Sequence, residues 1–333
     1  MRILILGGGS FVGRAIAEAA ISRNHDVTTF TRSTLPPGAA EGRVETVFGD
    51  RTQPDALNFA LERQWDAVFD TWMGAPRIVQ QGVMVLRHHV PYYSYVSSCS
   101  VYKGDPPPAG LNENSPVVDA DPSAEPTNYA ADKRGAELAI LEGFGSDASL
   151  LARAGIIIGP YENVGRLPWW LKRIALGGEV LAPGPNDLAL QYIDARDLAA
   201  WMLDCAEGGT AGAFNAISPI RHSTISELLQ TCRVTTNSSA EFTWVPPEFL
   251  TEQGIEQWTE MPLWITPDYY GLFRIDTSRA AKAGLICRPI SETVFDTWDW
   301  LQSETQIQIP IGRSAPGLNA EKERAALNAW ASR

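Results

Sequence analysis

Ile3-Leu4-Ile5-Leu6-Gly7-Gly8-Gly9-Ser10-Phe11-Val12-Gly13-Arg14-Ala15-Ile16-Ala17 is the stretch that decides the fold. Four apolar residues lead into a glycine cluster and then into apolar residues at helical spacing, which predicts a buried strand, a tight turn and a helix. Glycines let such a turn approach a pyrophosphate, and the first N–H groups of the helix point at that charge. The stretch therefore predicts a dinucleotide-binding turn, with Ser10 in place of the middle glycine of a G-x-x-G-x-x-G pattern.

Strand-like and helix-like segments keep alternating after this turn. The patterns predict strands at 25–30, 44–48, 67–69 and 92–97, and helices at 14–23, 55–63, 132–143 and 320–331. Alternation of this kind is typical of a doubly wound parallel sheet, in which ligands bind beyond the carboxyl ends of the strands. We therefore expect an α/β protein with a Rossmann-type doubly wound parallel sheet.

The second half of the chain differs from the first in its sequence pattern and tryptophan content. Beyond Gly159-Pro160 the alternation is lost and nine of the eleven tryptophans follow, which predicts a smaller C-terminal α/β substrate lobe whose tryptophans mostly serve core packing. A strand-like 191–193 and a helix-like 197–203 indicate that the chain returns to the first domain. The expected division is a dinucleotide-binding Rossmann domain at 1–165 plus about 189–213, and a substrate-binding lobe at 166–188 and 214–333.

Composition narrows the partners and the compartment. Acidic residues outnumber basic ones by 39 to 27, which disfavours nucleic acid because neutralised phosphates supply most of that affinity. Four widely spaced cysteines without a C-x-x-C pair indicate neither a disulfide framework nor a zinc site. No apolar run approaches the roughly 20 residues that a membrane span needs. We expect a cytoplasmic protein that acts on a small molecule, with no metal, nucleic acid or membrane as partner.

Tyr129 and Lys133 form the pattern that carries chemistry. They stand four residues apart, so a helix would place them on one face. A tyrosine with its usual pKa of about 10 is a poor base at neutral pH, and a nearby ammonium favours its phenolate. Ser98, at the end of a predicted strand, could hold a substrate oxygen against the tyrosine. The pattern predicts general acid–base catalysis, and a half-buried tyrosine on a surface helix is the other interpretation.

The landmarks together resemble the extended or atypical branch of the short-chain dehydrogenase/reductases, the NAD(P)-dependent epimerase/dehydratase family. The resemblance covers most of the chain and rests on the glycine turn with 49–51, 66–70, 96–102, 129–133, 153–161 and 192–199. It implies that Tyr129 is the general acid/base, that Lys133 supplies the cation and a ribose ligand, and that Ser98 contacts the substrate oxygen. Homodimers built through paired helices are common in this family, so a homodimer is a further expectation.

The cofactor site follows partly from the resemblance and partly from the residues. The resemblance implies an adenine contact by Asp50 and a cofactor path lined by the backbone of Asp70 and Thr71. The second strand ends in Thr31 and Arg32 instead of the acid that binds the ribose of NAD, and a guanidinium can pair with a 2′-phosphate, so NADP(H) is favoured over NAD(H). A solvated surface arginine is the alternative interpretation. The predicted cofactor-binding residues are Gly7, Gly9, Ser10, Phe11, Val12, Gly13, Thr31, Arg32, Asp50, Arg51, Asp70, Thr71, Ser97, Tyr129, Lys133, Ala154 and Ile156.

Two departures from the family narrow the expected reaction. Cys99 and Ser100 occupy the positions in which nucleotide-sugar 4,6-dehydratases carry an Asp-Glu pair, so elimination chemistry is not expected. Leu190 stands where many nucleotide-sugar epimerases carry an arginine for the substrate phosphate. Three arginines elsewhere could replace it: Arg166, Arg173 and Arg221. We predict an NADP(H)-dependent oxidoreductase that interconverts a ketone and a secondary alcohol of a small organic compound, with aromatic and secondary-metabolite substrates among the candidates.

Two other functions stay open at this point. An epimerase of nucleotide sugars or sugars would use the same three side chains with a tightly bound NAD(P). The Gly-Gly-x-x-Phe-x-Gly form of the turn is also similar to an atypical group that includes the chloroplast stem-loop RNA-binding proteins. A non-catalytic relative that binds RNA or senses a dinucleotide is therefore the third hypothesis, although the acidic charge and the intact Ser98, Tyr129 and Lys133 count against it.

Overall fold

The computed structural model describes residues 1–32, 42–303 and 315–333. Their β-strands are β1 (Arg2–Leu6), β2 (Asp26–Thr31), β3 (Glu45–Phe48), β4 (Ala67–Asp70), β5 (Tyr93–Ser98), β6 (Ser149–Ala154), β7 (Ile156–Ile158), β8 (Glu179–Pro183), β9 (Ala189–Leu190), β10 (Tyr192–Asp194), β11 (Gly212–Ala216), β12 (Ser223–Thr224) and β13 (Glu241–Val245). Their α-helices are α1 (Phe11–Ser22), α2 (Pro76–Leu86), α3 (Tyr129–Phe144), α4 (Arg166–Ala175), α5 (Ala195–Gly208), α6 (Ile225–Thr235), α7 (Pro247–Glu252), α8 (Ser278–Lys282), α9 (Ile290–Ser303) and α10 (Ala320–Ala331). No helix in this part of the chain is long and apolar enough to cross a bilayer.

Seven strands form a parallel sheet in the order β3-β2-β1-β4-β5-β6-β11. Leu6 at the end of β1 lies in register with Phe30 of β2 and Asp70 of β4, so three carboxyl ends meet at one edge. Chain order reverses beside β1, because β2 lies on one side of it and β4 on the other. A ligand crevice is expected at such a reversal. The predicted Rossmann-type doubly wound sheet is confirmed.

Alternate residues of β1 enter two separate hydrophobic cores. Ile3 and Ile5 pack into the layer formed by α1 and α5, whereas Leu4 and Leu6 pack into the layer formed by α2 and α3. A strand buried on both faces needs apolar residues at every position, because successive side chains point to opposite faces. The uninterrupted apolar run at the start of the chain is therefore the direct cause of a sheet covered by helices on both sides.

The C-terminal lobe has its own core, which is built from helices and short strand pairs. β8 pairs in parallel with β13, and β9 pairs antiparallel with β12. Helices α4, α6 and α9 pack against one another. Trp170 and Trp264 are fully buried in this core, as expected for tryptophans whose role is packing. The lobe therefore folds around these apolar rings without extending the seven-stranded sheet.

The division of the chain differs from the expected one at two points. β11 (Gly212–Ala216) runs to residue 216 as the outer strand of the main sheet, beyond the predicted limit at about 213. After the lobe, α8 packs on β11, and the Trp201 indole N–H donates to the Ala283 carbonyl at 3.0 Å. Ala280 belongs to the Rossmann core. The chain thus returns to the first domain twice, because β11 needs an apolar cover on its outer side.

Two predicted helices begin or end elsewhere. The helix expected at 55–63 is a short 3-10 helix, Asn58–Glu62, and Asp55 has a left-handed φ of 60° that an α-helix cannot contain. Helix α3 begins at Tyr129 and not at Asp132, because the Asn128 side chain accepts a hydrogen bond from the Ala131 N–H at 3.0 Å. The amphipathic helix predicted at 320–331 is confirmed as α10.

The glycine turn depends on close backbone packing. Gly7 has a φ of +102°, which favours glycine, and a Cβ built on Gly13 would lie 2.1 Å from the Gly7 carbonyl oxygen. Helix α1 therefore approaches the end of β1 more closely than any side chain at Gly13 permits. This contact brings the N-terminus of α1 to the carboxyl edge of the sheet.

We predict that Gly13→Ala lowers the free energy of unfolding by about 1–3 kcal/mol, because the methyl group overpacks a backbone contact. Gly208→Ala is the matched control, since its Cβ would meet nothing nearer than 3.9 Å at the end of α5. The control variant should be neutral or up to about 1 kcal/mol more stable. Urea unfolding of both variants measures the difference, and equal stabilities would contradict the close approach.

Candidate active site

A cavity of about 390 Å³ lies at the carboxyl edge of the sheet, between the Rossmann domain and the lobe. Its volume suits a small organic molecule. The predicted site residues that line it are Ser10, Phe11, Val12, Gly13, Thr71, Ser97, Ser98, Tyr129, Lys133, Ala154 and Ile156. The predicted residues outside its lining are Gly7, Gly9, Thr31, Arg32, Asp50, Arg51 and Asp70. The structure therefore brings all three predicted catalytic residues to one cavity.

The N-terminus of α1 opens into this cavity. Ser10 is the residue before the helix, is exposed, and does not cap the helix with its side chain. Phe11 has a φ of 37°, a strained conformation for a bulky residue. The first N–H groups of an α-helix have no partner within the helix. A turn with an open helix N-terminus and no Cβ at Gly7 or Gly13 fits the pyrophosphate of a dinucleotide.

The ends of β2 and β3 lie side by side at the same edge. Thr31 is buried as the last residue of β2, and Arg32 after it is exposed. One Asp50 carboxylate oxygen accepts hydrogen bonds from the Thr52 N–H at 2.9 Å and the Thr52 hydroxyl at 2.8 Å. These hydrogen bonds, together with the positive charge of Arg32, lower the pKa of Asp50. The charge of Arg32 therefore acts at the end of β3, where the adenosine of a dinucleotide would lie.

Arg51 and Asp70 form a buried ion pair beneath the edge. Two parallel hydrogen bonds of 2.6 and 3.0 Å join the guanidinium to the carboxylate, and the Tyr93 hydroxyl adds a third of 2.6 Å. The same carboxylate accepts the Trp72 N–H at 2.9 Å. Arg51 was predicted to bind the cofactor and Asp70 to line its path with backbone atoms. Their side chains bind each other because a buried charge needs a partner. They position the segment after β4, from which Thr71 reaches the cavity.

Lys133 lies beneath Tyr129 on the same face of α3. Its ammonium donates to the Trp72 carbonyl at 2.6 Å and to the Val96 carbonyl at 2.7 Å, and the side chain is 1% exposed. Burial lowers the pKa of Lys133 to about 7, against the opposing charges of Asp70 and Glu137. An ammonium has three N–H donors, and two of them are used by these carbonyls within the described part of the chain, so the third could serve a bound ligand.

Ser97 and Ser98 point to opposite faces at the end of β5. The Ser98 hydroxyl donates to the Ser100 hydroxyl and accepts the Ser100 N–H, both at 3.1 Å, and the residue lines the cavity. The Ser97 hydroxyl donates to Glu137 at 2.7 Å. The adjacent Cys99 is buried, which raises the pKa of its thiol to about 12. The thiol therefore stays protonated at neutral pH and offers no nucleophile beside Ser98.

Glu137 is the structural residue that the sequence analysis missed. It is fully buried and receives two hydrogen bonds of 2.9 Å from the Arg153 guanidinium, and Arg134 adds another of 2.9 Å. Arg153 also contacts the Tyr102 hydroxyl at 3.2 Å. Helical spacing is the sequence feature that could have identified Glu137. It follows Lys133 by four residues and so lies on the same face of α3 as Tyr129 and Lys133. The pair ties α3 to β6 directly behind the cavity.

Of the three arginines considered as replacements at the Leu190 position, Arg166 lines the cavity. Its Nε donates to Glu162 at 3.1 Å and its Nη2 donates to the Ile157 carbonyl at 3.0 Å. Arg173 instead pairs with Glu323 at 2.6 Å and anchors α10, and Arg221 lines a separate cavity. Leu190 is buried in β9.

The lobe supplies the apolar wall of the cavity. The large apolar residues of the lobe that line the cavity are Trp258, Leu272, Phe273 and Ile275, and the Rossmann domain adds Met73. The sequence analysis did not identify these residues, because single apolar residues in irregular segments carry no pattern that distinguishes a cavity wall from a core. The wall nevertheless determines which part of a substrate can be apolar.

Comparisons with known proteins agree with this geometry. The family model of the NAD dependent epimerase/dehydratase family matches residues 3–216. A 2-alkyl-3-oxoalkanoate reductase from Stenotrophomonas maltophilia (strain K279a) is 29% identical over 238 residues, which are 66% of this chain and 67% of that protein.

Solved structures of two epimerases share the fold. The UDP-glucuronic acid 4-epimerase from Bacillus cereus, in complex with NAD, is 14% identical with a TM-score of 0.65, covering 91% of this chain and 99% of that one. The UDP-glucose 4-epimerase from Thermotoga maritima, with UDP-glucose, is 17% identical with a TM-score of 0.64 over the same shares. Because the family model matches well over half of the chain, this chain belongs to the NAD dependent epimerase/dehydratase family and is an NAD(P)-dependent enzyme.

Proposed function

We propose that this protein is an NADP(H)-dependent reductase that interconverts a ketone and a secondary alcohol of a small, largely apolar substrate. The observation that carries the proposal is the convergence of Ser98, Tyr129 and Lys133 on one cavity that the N-terminus of α1 also lines. Hydride transfer to a carbonyl needs a proton donor at the oxygen and a dinucleotide held nearby. The residues that would hold that dinucleotide are those of the glycine turn, with Thr71, Arg32 and the remaining N–H of Lys133.

Tyr129, Ser98 and Lys133 have different roles at the carbonyl oxygen. A bound nicotinamide supplies the hydride to the carbonyl carbon, or accepts it in the reverse direction. The Tyr129 hydroxyl gives its proton to the oxygen as the C=O π bond breaks. The Ser98 O–H, which donates to Ser100 in this structure, would turn to the substrate oxygen and hold it in place. The Lys133 ammonium, fixed by the Trp72 and Val96 carbonyls, stabilises the phenolate that remains.

The apolar residues of the lobe and the name of one relative support an apolar ketone as the substrate. The wall of Trp258, Leu272, Phe273 and Ile275 suits an apolar compound, and Leu190 offers no charge for a nucleotide diphosphate. The relative from S. maltophilia is named a 2-alkyl-3-oxoalkanoate reductase, which supports reduction of a ketone on an alkyl chain that also carries a carboxylate. These features favour ketone reduction over epimerisation of a nucleotide sugar.

Tyr129→Phe should lower kcat for NADPH-dependent ketone reduction roughly 100-fold or more, because it removes the proton donor and leaves the ring. Tyr269→Phe is the control, since its exposed hydroxyl contacts Asp105 outside the cavity, and it should keep full activity. Loss of NADPH absorbance measures both variants over a panel of ketones. Unchanged turnover by Tyr129→Phe would refute the assignment, and epimerisation without net NADPH loss would favour the epimerase hypothesis.

Arg32→Gln should weaken NADPH binding roughly 10- to 100-fold and leave NADH binding unchanged, because a charge-assisted pair with the 2′-phosphate is lost. Arg87→Gln removes an equal charge from the exposed end of α2 and is the control. Titration of each protein with both dinucleotides measures the change. An equal effect on NADH and NADPH would show that Arg32 does not select the 2′-phosphate.

The lowered pKa of Lys133 has a consequence for stability. Between pH 7 and the usual lysine pKa, the unfolded chain binds a proton that the folded protein does not, so the free energy of unfolding rises with pH in this window. Relative to Lys133→Met, the parent protein should gain about 2–3 kcal/mol from pH 7 to pH 9. Lys172→Met, at an exposed position of α4, should show no such change. A pH-independent difference between parent and Lys133→Met in urea unfolding would mean an ordinary pKa.

A further inference from the structure

The cavity contains a cation that the reaction at the carbonyl does not use. Within residues 1–32, 42–303 and 315–333, its charged lining residues are Lys133 and Arg166, and none of its lining residues is acidic. This is notable in a chain with 39 acidic residues and a net charge of −12. Lys133 already donates to two carbonyls beneath Tyr129. Arg166 is therefore the charge available to a substrate.

Arg166 is held rigidly at the first position of α4. Glu162, which is fully buried, accepts the Arg166 N–H at 3.0 Å and the Nε at 3.1 Å on one oxygen, and the Leu167 N–H at 3.2 Å on the other. The Nη2 donates to the Ile157 carbonyl at 3.0 Å. These contacts fix the plane of the guanidinium, so little side-chain entropy is lost when it binds a ligand.

Part of the Arg166 guanidinium has no partner among the residues that the structure describes. A guanidinium has five N–H donors, and the Nη1 of Arg166 makes no hydrogen bond to any residue that the structure describes. The side chain is 19% exposed and lies beside Ile157 and Val164 in the cavity wall. The Arg166 guanidinium thus has a fixed orientation and N–H donors that remain available, and it lies in a mostly apolar cavity whose lining contains no acidic residue. Such an arrangement suits an anionic group carried by an apolar molecule.

We propose that Arg166 is the residue that binds the carboxylate of a keto-acid substrate, while the apolar remainder of the substrate packs on the lobe. This inference rests on the proposed ketone reduction and adds the residue that determines specificity. A carboxylate suits the site better than a phosphate dianion, because Glu162 already offsets one charge and Leu190 supplies no second cation. Arg166 then determines specificity and takes no part in proton transfer.

The first test is binding to the unmodified protein, which needs no variant to fold. Octanoate and octanamide have the same chain and differ in charge, so Arg166 should favour octanoate roughly 10- to 100-fold in calorimetric titrations with NADP⁺ present. A shorter and a longer acid–amide pair extend the comparison to other chain lengths. Equal affinities for acid and amide across the three pairs would overturn the proposal.

Variants then locate the preference. Arg166→Gln should abolish the preference for octanoate, and Arg166→Lys should retain part of it, because an ammonium keeps the charge and loses the fork. Lys172→Gln, on the exposed side of the same helix, removes an equal charge outside the cavity and should bind as the parent does. An unchanged preference in Arg166→Gln, or an equal loss in Lys172→Gln, would overturn the assignment to Arg166.

Kinetics separate this proposal from the proposed function. Keto acids and their methyl esters, with one to four bonds between the two carbonyl carbons, should differ in KM by roughly 10- to 100-fold in the parent and little in Arg166→Gln. kcat should change less than KM, because Arg166 does not touch the reacting carbonyl. Equal turnover of acids and esters would support ketone reduction and overturn the anion site. Turnover of neither, with the octanoate preference intact, would contradict ketone reduction while the anion site stands.

Discussion

The buried ammonium of Lys133 is the interaction on which the active site depends. It joins three elements that are distant in sequence, because the Trp72 carbonyl follows β4, the Val96 carbonyl belongs to β5 and the lysine itself lies in α3. Removing a cation from water costs several kcal/mol unless hydrogen bonds and nearby charges offset the loss. Two short hydrogen bonds to carbonyls and the face of Tyr95, 4.6 Å from the Nζ, provide that offset.

Two buried ion pairs extend this charged layer on either side of the lysine. Asp70 is paired with Arg51, and Glu137 is paired with Arg153. Both carboxylates act on Lys133 and oppose the effect of burial on its pKa. Each carboxylate therefore pairs with an arginine that is always charged and also acts electrostatically on the Lys133 ammonium, whose pKa is about 7. Neither arginine can be deprotonated at ordinary pH, so the layer stays fixed while the proton state of Lys133 can respond to a ligand.

Local patterns explain which parts of the molecule the sequence predicts. The turn from β1 to α1 follows from a contiguous run of apolar residues and glycines, and the Tyr129–Lys133 relationship follows from helical spacing alone. The pairs Arg51–Asp70 and Glu137–Arg153 join residues from different elements, so no local period contains them. The 3-10 helix after Asp55 also escapes prediction, because its sequence has helical propensity and its backbone conformation is set by packing. The lobe wall is unpredictable for the same reason, since Trp258 has no motif around it.

The two halves of the cavity have separable roles, and this separation follows from where their residues lie. Ser98 stands at the end of β5, and the Tyr129–Lys133 pair lies at the start of α3, which packs against β5 in the Rossmann domain. Arg166 and Trp258 stand in the lobe, which has its own core. A change in the lobe can therefore alter the charge and shape offered to a substrate without moving the proton donor. Under the proposed function, the sheet edge would thus determine the type of reaction and the lobe, through Arg166, would determine which substrate binds.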